Sequence, residues 1–509
     1  MNKSKASSES VPFGQKVAFG IGMLANQMFP AILGIFMVVL VQDLGFNTIL
    51  WGVLFFIPRL FDSITDPIMG FISDNTRSKW GRRRHYVFIG AIILGVSYMF
   101  MWQLYKGNTL EYNFMYFLLW SIVFYLGLTV FSVPYVAMGY EMSNDFHERT
   151  NIMAVAQWIG QWAWVIAPWF WVILYDTGGL HNQADGLGAS WLANILPDNG
   201  WFPSADVGVR SLAIWIGAVC MLLAMVPAIF IKSKSTVDRT DYLPLNFDNI
   251  KGSLTQIFEG FKEAYFNIPF RRLCVATFLV FNSFNTIAAF SFFIIVYYMF
   301  NGDAGAAGIW PTLHGSLGAI ATTFLVIPIV TRMSRVFGKK RTFLISQGIS
   351  IIGYVMFWFL FIPGNPYAFL IALPFFSFGI GSLFTLMMSM TADVCDLDEL
   401  NTNKRREGLF GAIYWWMVKF GQAFAGLLSG LIMAYVGFDA ELVTQPEGAV
   451  TGLRLFYSGL PIMGTVIAII VMWNYDLTEE KANEIRTQLD IRNAAAKDGG
   501  LPIENHLVD

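Results

Sequence analysis

The stretch Arg59-Leu60-Phe61-Asp62-Ser63-Ile64-Thr65-Asp66-Pro67 lies inside a run, residues 48–72, that is otherwise apolar enough to span a bilayer. Positions four apart share one face of a helix, so Asp62 and Asp66 present two carboxylates to one place. An ionisable group at membrane depth costs on the order of 3 kcal/mol on insertion scales, so a pair implies an interior cavity, a bound cation or a proton. The pattern reads as a coupling-ion site.

Runs of the same kind recur near 17–41, 86–105, 113–140, 151–175, 211–231, 273–300, 310–331, 342–362, 366–390, 408–436 and 455–475. A mean hydropathy of +0.54 and 13% charged residues, against roughly 25% in soluble domains, agree with them. The fold class is therefore an all-α polytopic membrane protein with twelve transmembrane helices in two six-helix halves.

The 33 Lys and Arg residues orient it under the positive-inside rule. With windows alternating sides, Lys106, Arg210 and Arg454 fall outside, and Arg59 and Lys419 fall within spans. The other 28 fall on the side of both termini, in clusters such as Arg77/Lys79/Arg82/Arg83/Arg84, Arg332/Arg335/Lys339/Lys340/Arg341 and Lys404/Arg405/Arg406. Both termini are expected to be cytoplasmic. Met1–Gln15 is polar, with no signal-peptide pattern.

Two cytoplasmic loops echo each other six helices apart: Arg77 to Arg84 after the second window and Met333 to Arg341 after the eighth. A second echo pairs Glu141–Thr150 with Asp393–Glu407. The shared offset predicts parallel halves, 1–231 and 271–475, around a midplane site. A polar linker, 232–270, joins them, and a cytoplasmic tail, 476–509, follows. Asp176–Val209 is expected to form an outer loop, with Trp191 and Trp201 at the interface.

Other classes find no support in the residues. Cys220, Cys274 and Cys395 lack paired spacing and read as packing residues. His85, His147, His181, His314 and His506 are scattered, and no nucleotide loop or nucleophile elbow occurs, so an enzyme is not expected. The basic residues flank membrane spans, which argues against nucleic-acid binding.

The run Arg59-x-x-Asp62-x-x-x-Asp66-Pro67-x-x-Gly70 into Trp80-Gly81-Arg82-Arg83-Arg84, with Pro134-Tyr135, Glu141 to Arg149, Ala392-Asp393-Val394 and Arg405-Arg406-Glu407-Gly408, resembles the major facilitator superfamily. Within it the chain is similar to the glycoside-pentoside-hexuronide:cation symporters of the melibiose-permease type. The resemblance implies cation-coupled symport of a glycoside, oligosaccharide or uronate by alternating access in a bacterial inner membrane. It implies Na+ or H+ as the coupling ion and no other cofactor. A monomer is expected, whose partners are the sugar, the cation and the bilayer. It also assigns the cation to Asp62, Asp66 and Thr129, with Thr65 where the family has asparagine, and Na+ to the two aspartates if sodium is used. Lys419 corresponds to the family's lysine in the eleventh window. Galactoside-gripping acidic and arginine positions read here as Gln27, Ser132 and Gln157, and two sugar-contacting tryptophans as Val136 and Phe384. Galactoside recognition is therefore not expected.

Counting charges, Asp62 and Asp66 balance Arg59 and Lys419, so an arriving cation leaves a surplus that an anionic substrate would neutralise. Arg59 would either orient the aspartates or contact substrate. The candidate substrate wall adds Asn26 and Gln27, then Gln157, Trp158, Gln161 and Trp162, then Asn282 and Asn285, since amides bridge sugar hydroxyls and aromatic faces cover ring C–H groups. Gln161, Asn282 and Asn285 are equally suited to bridging helices. Trp415, Lys419 and Gln422 share one helical face. Trp164 and Trp169 read as interface anchors. Asp74 with Arg82–Arg84, and Glu141 with Arg149, are candidate gating pairs. Alternative readings are a lysophospholipid transporter of the same family and a membrane sensor or scaffold that has lost transport.

Overall fold

The computed structural model describes residues 11–143, 146–175, 200–233, 235–237, 243–403, 406–439, 442 and 444–497. Its helices are α1 (Phe13–Gln42), α2 (Thr48–Asn75), α3 (Arg84–Met101), α4 (Leu110–Glu141), α5 (Phe146–Ile166), α6 (Trp169–Tyr175), α7 (Ala205–Phe230) and α8 (Phe247–Phe266). There follow α9 (Ile268–Met299), α10 (Ala304–Phe337), α11 (Lys339–Leu360), α12 (Ala368–Thr402), α13 (Glu407–Tyr435), α14 (Glu447–Trp473) and α15 (Glu479–Lys497).

Eleven of the described helices are long and apolar enough to cross a membrane. The remaining crossing is α5 with α6. Its sequence carries His147, Glu148, Arg149, Gln157 and Gln161, which lower its hydropathy, and Pro168, which has no N–H to continue the ladder, separates the two helices. The apolar windows thus correspond to twelve crossings.

Two compact units emerge from the packing. Unit 1 comprises Met1–Thr255, Ser291–Ala319 and Gly426–Val450; unit 2 comprises Gln256–Phe290, Ile320–Ala425 and Thr451–Asp509. This division differs from the sequence-based boundary at 231/271, because parts of α9, α10 and α13 lying opposite the basic loops pack with the first half. Inside unit 1, Tyr297 donates to Gln42 Oε1 at 2.7 Å, Thr312 to the Pro168 carbonyl at 2.8 Å and Ser316 to the Val165 carbonyl at 2.7 Å. Trp171 stacks on Phe292 at 4.3 Å. Gly52 and Gly430 let α2 and α13 touch: a Cβ on Gly430 would lie 3.0 Å from the Gly52 Cα.

Unit 2 has its own core, with Phe270, Val330, Phe343, Met387 and Phe410 buried together, and Ile485 and Leu489 of α15 belong to it. The echoed loops share a local device. Gly81 and Gly338 both adopt positive φ, 84° and 77°, just before α3 and α11 begin. Only glycine enters that region without a steric penalty, so it turns the chain from one helix into the next.

Candidate cation and substrate site

Within unit 1, α2 and α4 bring the aspartates to a hydroxyl. Asn47 caps α2 by accepting from the Ile49 N–H at 2.8 Å. About four turns further on, Asp62 and Asp66 face Thr129 of α4, whose Oγ1 is 2.7 Å from Asp62 Oδ1 and 3.0 Å from Asp66 Oδ1. Thr65 Oγ1 stands 3.0 Å from Thr129 Oγ1 and donates back to the Phe61 and Asp62 carbonyls. Asp62 is 2% exposed and Thr129 1%; Asp66 and Thr65 are half-buried.

One hydroxyl carries one proton, so Thr129 cannot donate fully to both carboxylates at once. Two carboxylates converging on one atom also repel. A cation or proton between them removes both problems, and the donor set, all oxygen, suits a hard cation. Among the described residues no group of three or more His, Cys, Asp or Glu side chains gathers for a metal ion. The Arg59 guanidinium lies 5.9 Å from the Tyr125 ring centroid, tying α2 to α4 a second time. Ser132 follows on α4 and is half-buried.

A second cluster joins α1 to α5. Gln27 Nε2 donates to Gln157 Oε1 at 3.2 Å, and Trp164 Nε1 donates to Gln27 Oε1 at 2.9 Å. Trp164 therefore gives its N–H to an amide of the candidate substrate wall, a partner that its reading as an interface anchor does not include. Asn26 Nδ2 reaches Met23 Sδ at 3.9 Å, and its Oδ1 is buried without a hydrogen-bond partner. Gln161 is half-buried; Trp158 and Trp162 are exposed and pair edge-on at 6.4 Å.

The remaining candidates lie in unit 2. On α13, Trp415 is exposed, and Lys419 and Gln422 are half-buried. Phe384 is exposed, its ring 5.9 Å from Phe281. Asn285 donates to the Phe281 carbonyl of its own helix at 2.7 Å, whereas Asn282 is buried with its Nδ2 unpartnered.

At the basic loop, Asp74, Arg82 and Glu141 form one network. Arg82 Nε donates to Glu141 Oε1 at 2.7 Å, Arg83 Nη1 lies 2.8 Å from the same oxygen, and Arg83 also pairs with Asp74. Arg83 further donates to the Ala137 carbonyl at 2.7 Å. All of these join helix ends inside unit 1. The Arg149 side chain lies outside the described residues, as do Lys404, Arg405 and the 176–199 part of the outer loop, with Trp191. Glu148 pairs with Lys16 at 2.9 Å, binding the start of α5 to α1. The corresponding contact of unit 2 is Lys339 to Asp393 at 2.6 Å, and Arg406 grips Asp398 through two bonds of 2.9 and 2.6 Å.

The tail, whose composition reads as a polar cytoplasmic helix, is the helix α15, and its docking onto α12 has no signal in the sequence. Arg492 donates to the Glu399 carbonyl at 3.1 Å and to Asn403 Oδ1 at 2.6 Å, and Arg486 to Asp396 at 3.3 Å.

Residues 18–479 match the profile of the family described as MFS/sugar transport protein. The glucuronide carrier protein homolog of Escherichia coli is 24% identical over 481 residues, covering 94% of this chain and 95% of the relative. A putative glycoside/cation symporter of Escherichia coli is 24% identical over 494 residues, covering 96% of each. The isoprimeverose transporter of Lactiplantibacillus pentosus is 21% identical over 479 residues, covering 91% of this chain and 89% of the relative. Among solved structures, the xylose transporter XylE from Escherichia coli in its inward-open conformation aligns with a TM-score of 0.58 at 14% identity, covering 94% of this chain and 99% of that one. That likeness concerns the fold alone.

Proposed function

Because the chain belongs to the MFS/sugar transport family, within the glycoside-pentoside-hexuronide:cation symporters, we propose that it moves a glycoside or sugar acid inward together with Na+ or H+. It is a membrane transporter and not an enzyme. The observation that carries the ion assignment is the convergence of Asp62 and Asp66 on the single hydroxyl of Thr129. In this reading Asp62 and Asp66 hold the ion, Thr129 completes its shell and Thr65 orients Thr129.

In unit 1 the substrate faces Gln27, Asn26 and Gln157, with Arg59 as a further contact; in unit 2 the face of α13 that carries Trp415, Lys419 and Gln422 is the one offered to substrate. Asn26 Oδ1, buried and unpartnered, is an acceptor that a sugar hydroxyl would satisfy. Counted from the sequence alone, Asp62, Asp66, Arg59, Lys419 and one added cation sum to one positive charge, which favours a uronate over a neutral sugar. The relatives named for a glucuronide and for isoprimeverose support a glycoside of one or two rings. Ion and sugar that stabilise the same conformation raise each other's affinity by the same factor. The protein resides in a bacterial inner membrane as a monomer, with both termini cytoplasmic.

Uptake by proteoliposomes of a radiolabelled glucuronide and of its neutral glucoside counterpart, driven by a Na+ or a pH gradient, tests this. One gradient is expected to drive accumulation, and Asp66→Asn to abolish it. Accumulation that survives Asp66→Asn, or that ignores both gradients, overturns the ion assignment.

A further inference from the structure

Trp164 stands on the same face of α5 as Gln157 and Gln161, at positions i, i+4 and i+7. Seven residues at about 1.5 Å each place Gln157 and Trp164 about 10 Å apart along the axis. Gln27 of α1 reaches both. Trp164 is 41% exposed, yet its polar edge is satisfied by a protein side chain. An indole at a membrane interface turns its N–H toward headgroups and water; this one turns it toward Gln27 at 2.9 Å.

The bond has a direction. An indole N–H only donates, so Gln27 must accept with Oε1. Its Nε2 is then committed to Gln157 Oε1 at 3.2 Å. Gln157 has accepted, which leaves its Nε2, with two N–H donors, as the group it offers elsewhere. The relay thereby converts an amphoteric amide into a donor. Without Trp164, both glutamines are free to flip, and Gln157 presents oxygen or nitrogen with equal ease.

We propose that Trp164 is a specificity-determining residue of this transporter. Its exposed ring face is a platform for the C–H side of a sugar ring, and its N–H, acting through Gln27, sets Gln157 to donate to a substrate carboxylate. Trp164 touches substrate on one side and positions Gln157 on the other. The inference rests on the sugar-symport reading above and deepens it, selecting a uronate-bearing glycoside in which the acid lies toward Gln157 and a ring toward Trp164.

The test is equilibrium binding of 4-nitrophenyl β-D-glucuronide and 4-nitrophenyl β-D-glucoside, which differ only in the carboxylate, to the purified full chain in saturating cation. Wild type, Trp164→Phe and Trp164→Ala are compared, each first shown to keep the wild-type melting temperature. The wild type is expected to favour the glucuronide by about tenfold, the low end of what one hydrogen bond to a charged group contributes. Trp164→Phe keeps the ring and loses the N–H, so glucoside affinity stays within about twofold while the preference for the glucuronide falls at least about threefold. Trp164→Ala weakens both ligands. A purely structural Trp164 would shift both affinities together and leave their ratio unchanged in Trp164→Phe, which overturns the positioning role. Wild-type affinities in Trp164→Ala overturn the platform. Binding of neither glycoside by the wild type overturns the sugar-symport reading and this inference with it, an outcome distinct from the other two.

Discussion

Thr129 of α4 donates its hydroxyl to Asp62 of α2 over 2.7 Å, deep enough that both side chains are almost sealed from solvent. Asp66 lies 3.0 Å from the same hydroxyl. A neutral donor shared by two carboxylates is a poor substitute for a cation, which is the reason for proposing that an ion enters here.

Replacing Thr129 by Val keeps the shape and removes that oxygen. One lost hydrogen bond or ion ligand is worth about 1 kcal/mol, so the cation concentration for half-maximal uptake is expected to rise about fivefold to tenfold. Thr129→Ser, which restores the hydroxyl, is expected to stay within about threefold of wild type. Cation titration of uptake measures both. An unchanged half-maximal concentration in Thr129→Val would mean that Thr129 only packs α2 against α4.

Asp43 follows α1 and accepts from the Tyr175 hydroxyl at 3.0 Å. Burial pushes its carboxyl above the ordinary aspartate value; the Tyr175 bond and Lys106 oppose the shift, and Asp206 adds to it. A folded-state value raised above the unfolded one means that the folded protein binds the proton more tightly. The resulting stabilisation is present in full below the unfolded value and is lost as pH rises through the folded one. Asp43→Asn removes this dependence. The melting temperature of wild type relative to Asp43→Asn is therefore expected to increase as pH is lowered from 7 toward 4. A difference that stays flat or reverses would contradict the burial argument.

The chain discloses some of this and conceals the rest for identifiable reasons. Hydropathy marks the crossings, and spacing alone places Asp62 above Asp66, because both signals are local. That Thr129 meets them depends on how α2 packs on α4, which no local pattern encodes; only resemblance to relatives pointed there. The partner of Trp164 is not legible because a tryptophan near a helix end looks the same in sequence whether its N–H faces headgroups or Gln27. The division of the packing into units leaves no mark in the sequence, because it cuts through α8, α9, α10, α13 and α14, whose composition does not change where their neighbours do. In α5 the polar residues that weaken the membrane signal, Gln157 and Gln161, are the candidate substrate contacts.

Gly81 and Gly338 provide a test of the repeated loop. Both have positive φ, where an L side chain is strained by about 1 kcal/mol or more. Gly81→Ala and Gly338→Ala are each expected to lower the melting temperature. At Gly338 a Cβ would also lie 3.2 Å from Glu479 Oε2, which has to move aside. Equal stability of either variant with wild type would mean that the loop relaxes without cost.

The docking of α15 makes the strongest claim about stability. Ile485 and Leu489 are buried at 4% and 5% exposure in the unit 2 core, although a helix so rich in charge reads as a solvated tail. Arg492 holds the last turn of α12 through the Glu399 carbonyl and the Asn403 side chain, and Asn403 is the left-handed residue, φ 55°, that ends that helix. Removing a buried leucine side chain costs about 2 kcal/mol or more. Leu489→Ala is therefore expected to lower the melting temperature clearly, and Arg492→Ala, whose side chain remains partly solvated, to lower it less. If α15 is a brace for the end of α12, a stop codon after Thr478 should destabilise at least as much as Leu489→Ala. Cation-dependent uptake at a temperature well below the transition should survive, because no residue of α15 belongs to the ion or substrate site. A truncated protein as stable as the full chain would show that the helix rests on unit 2 without supporting it.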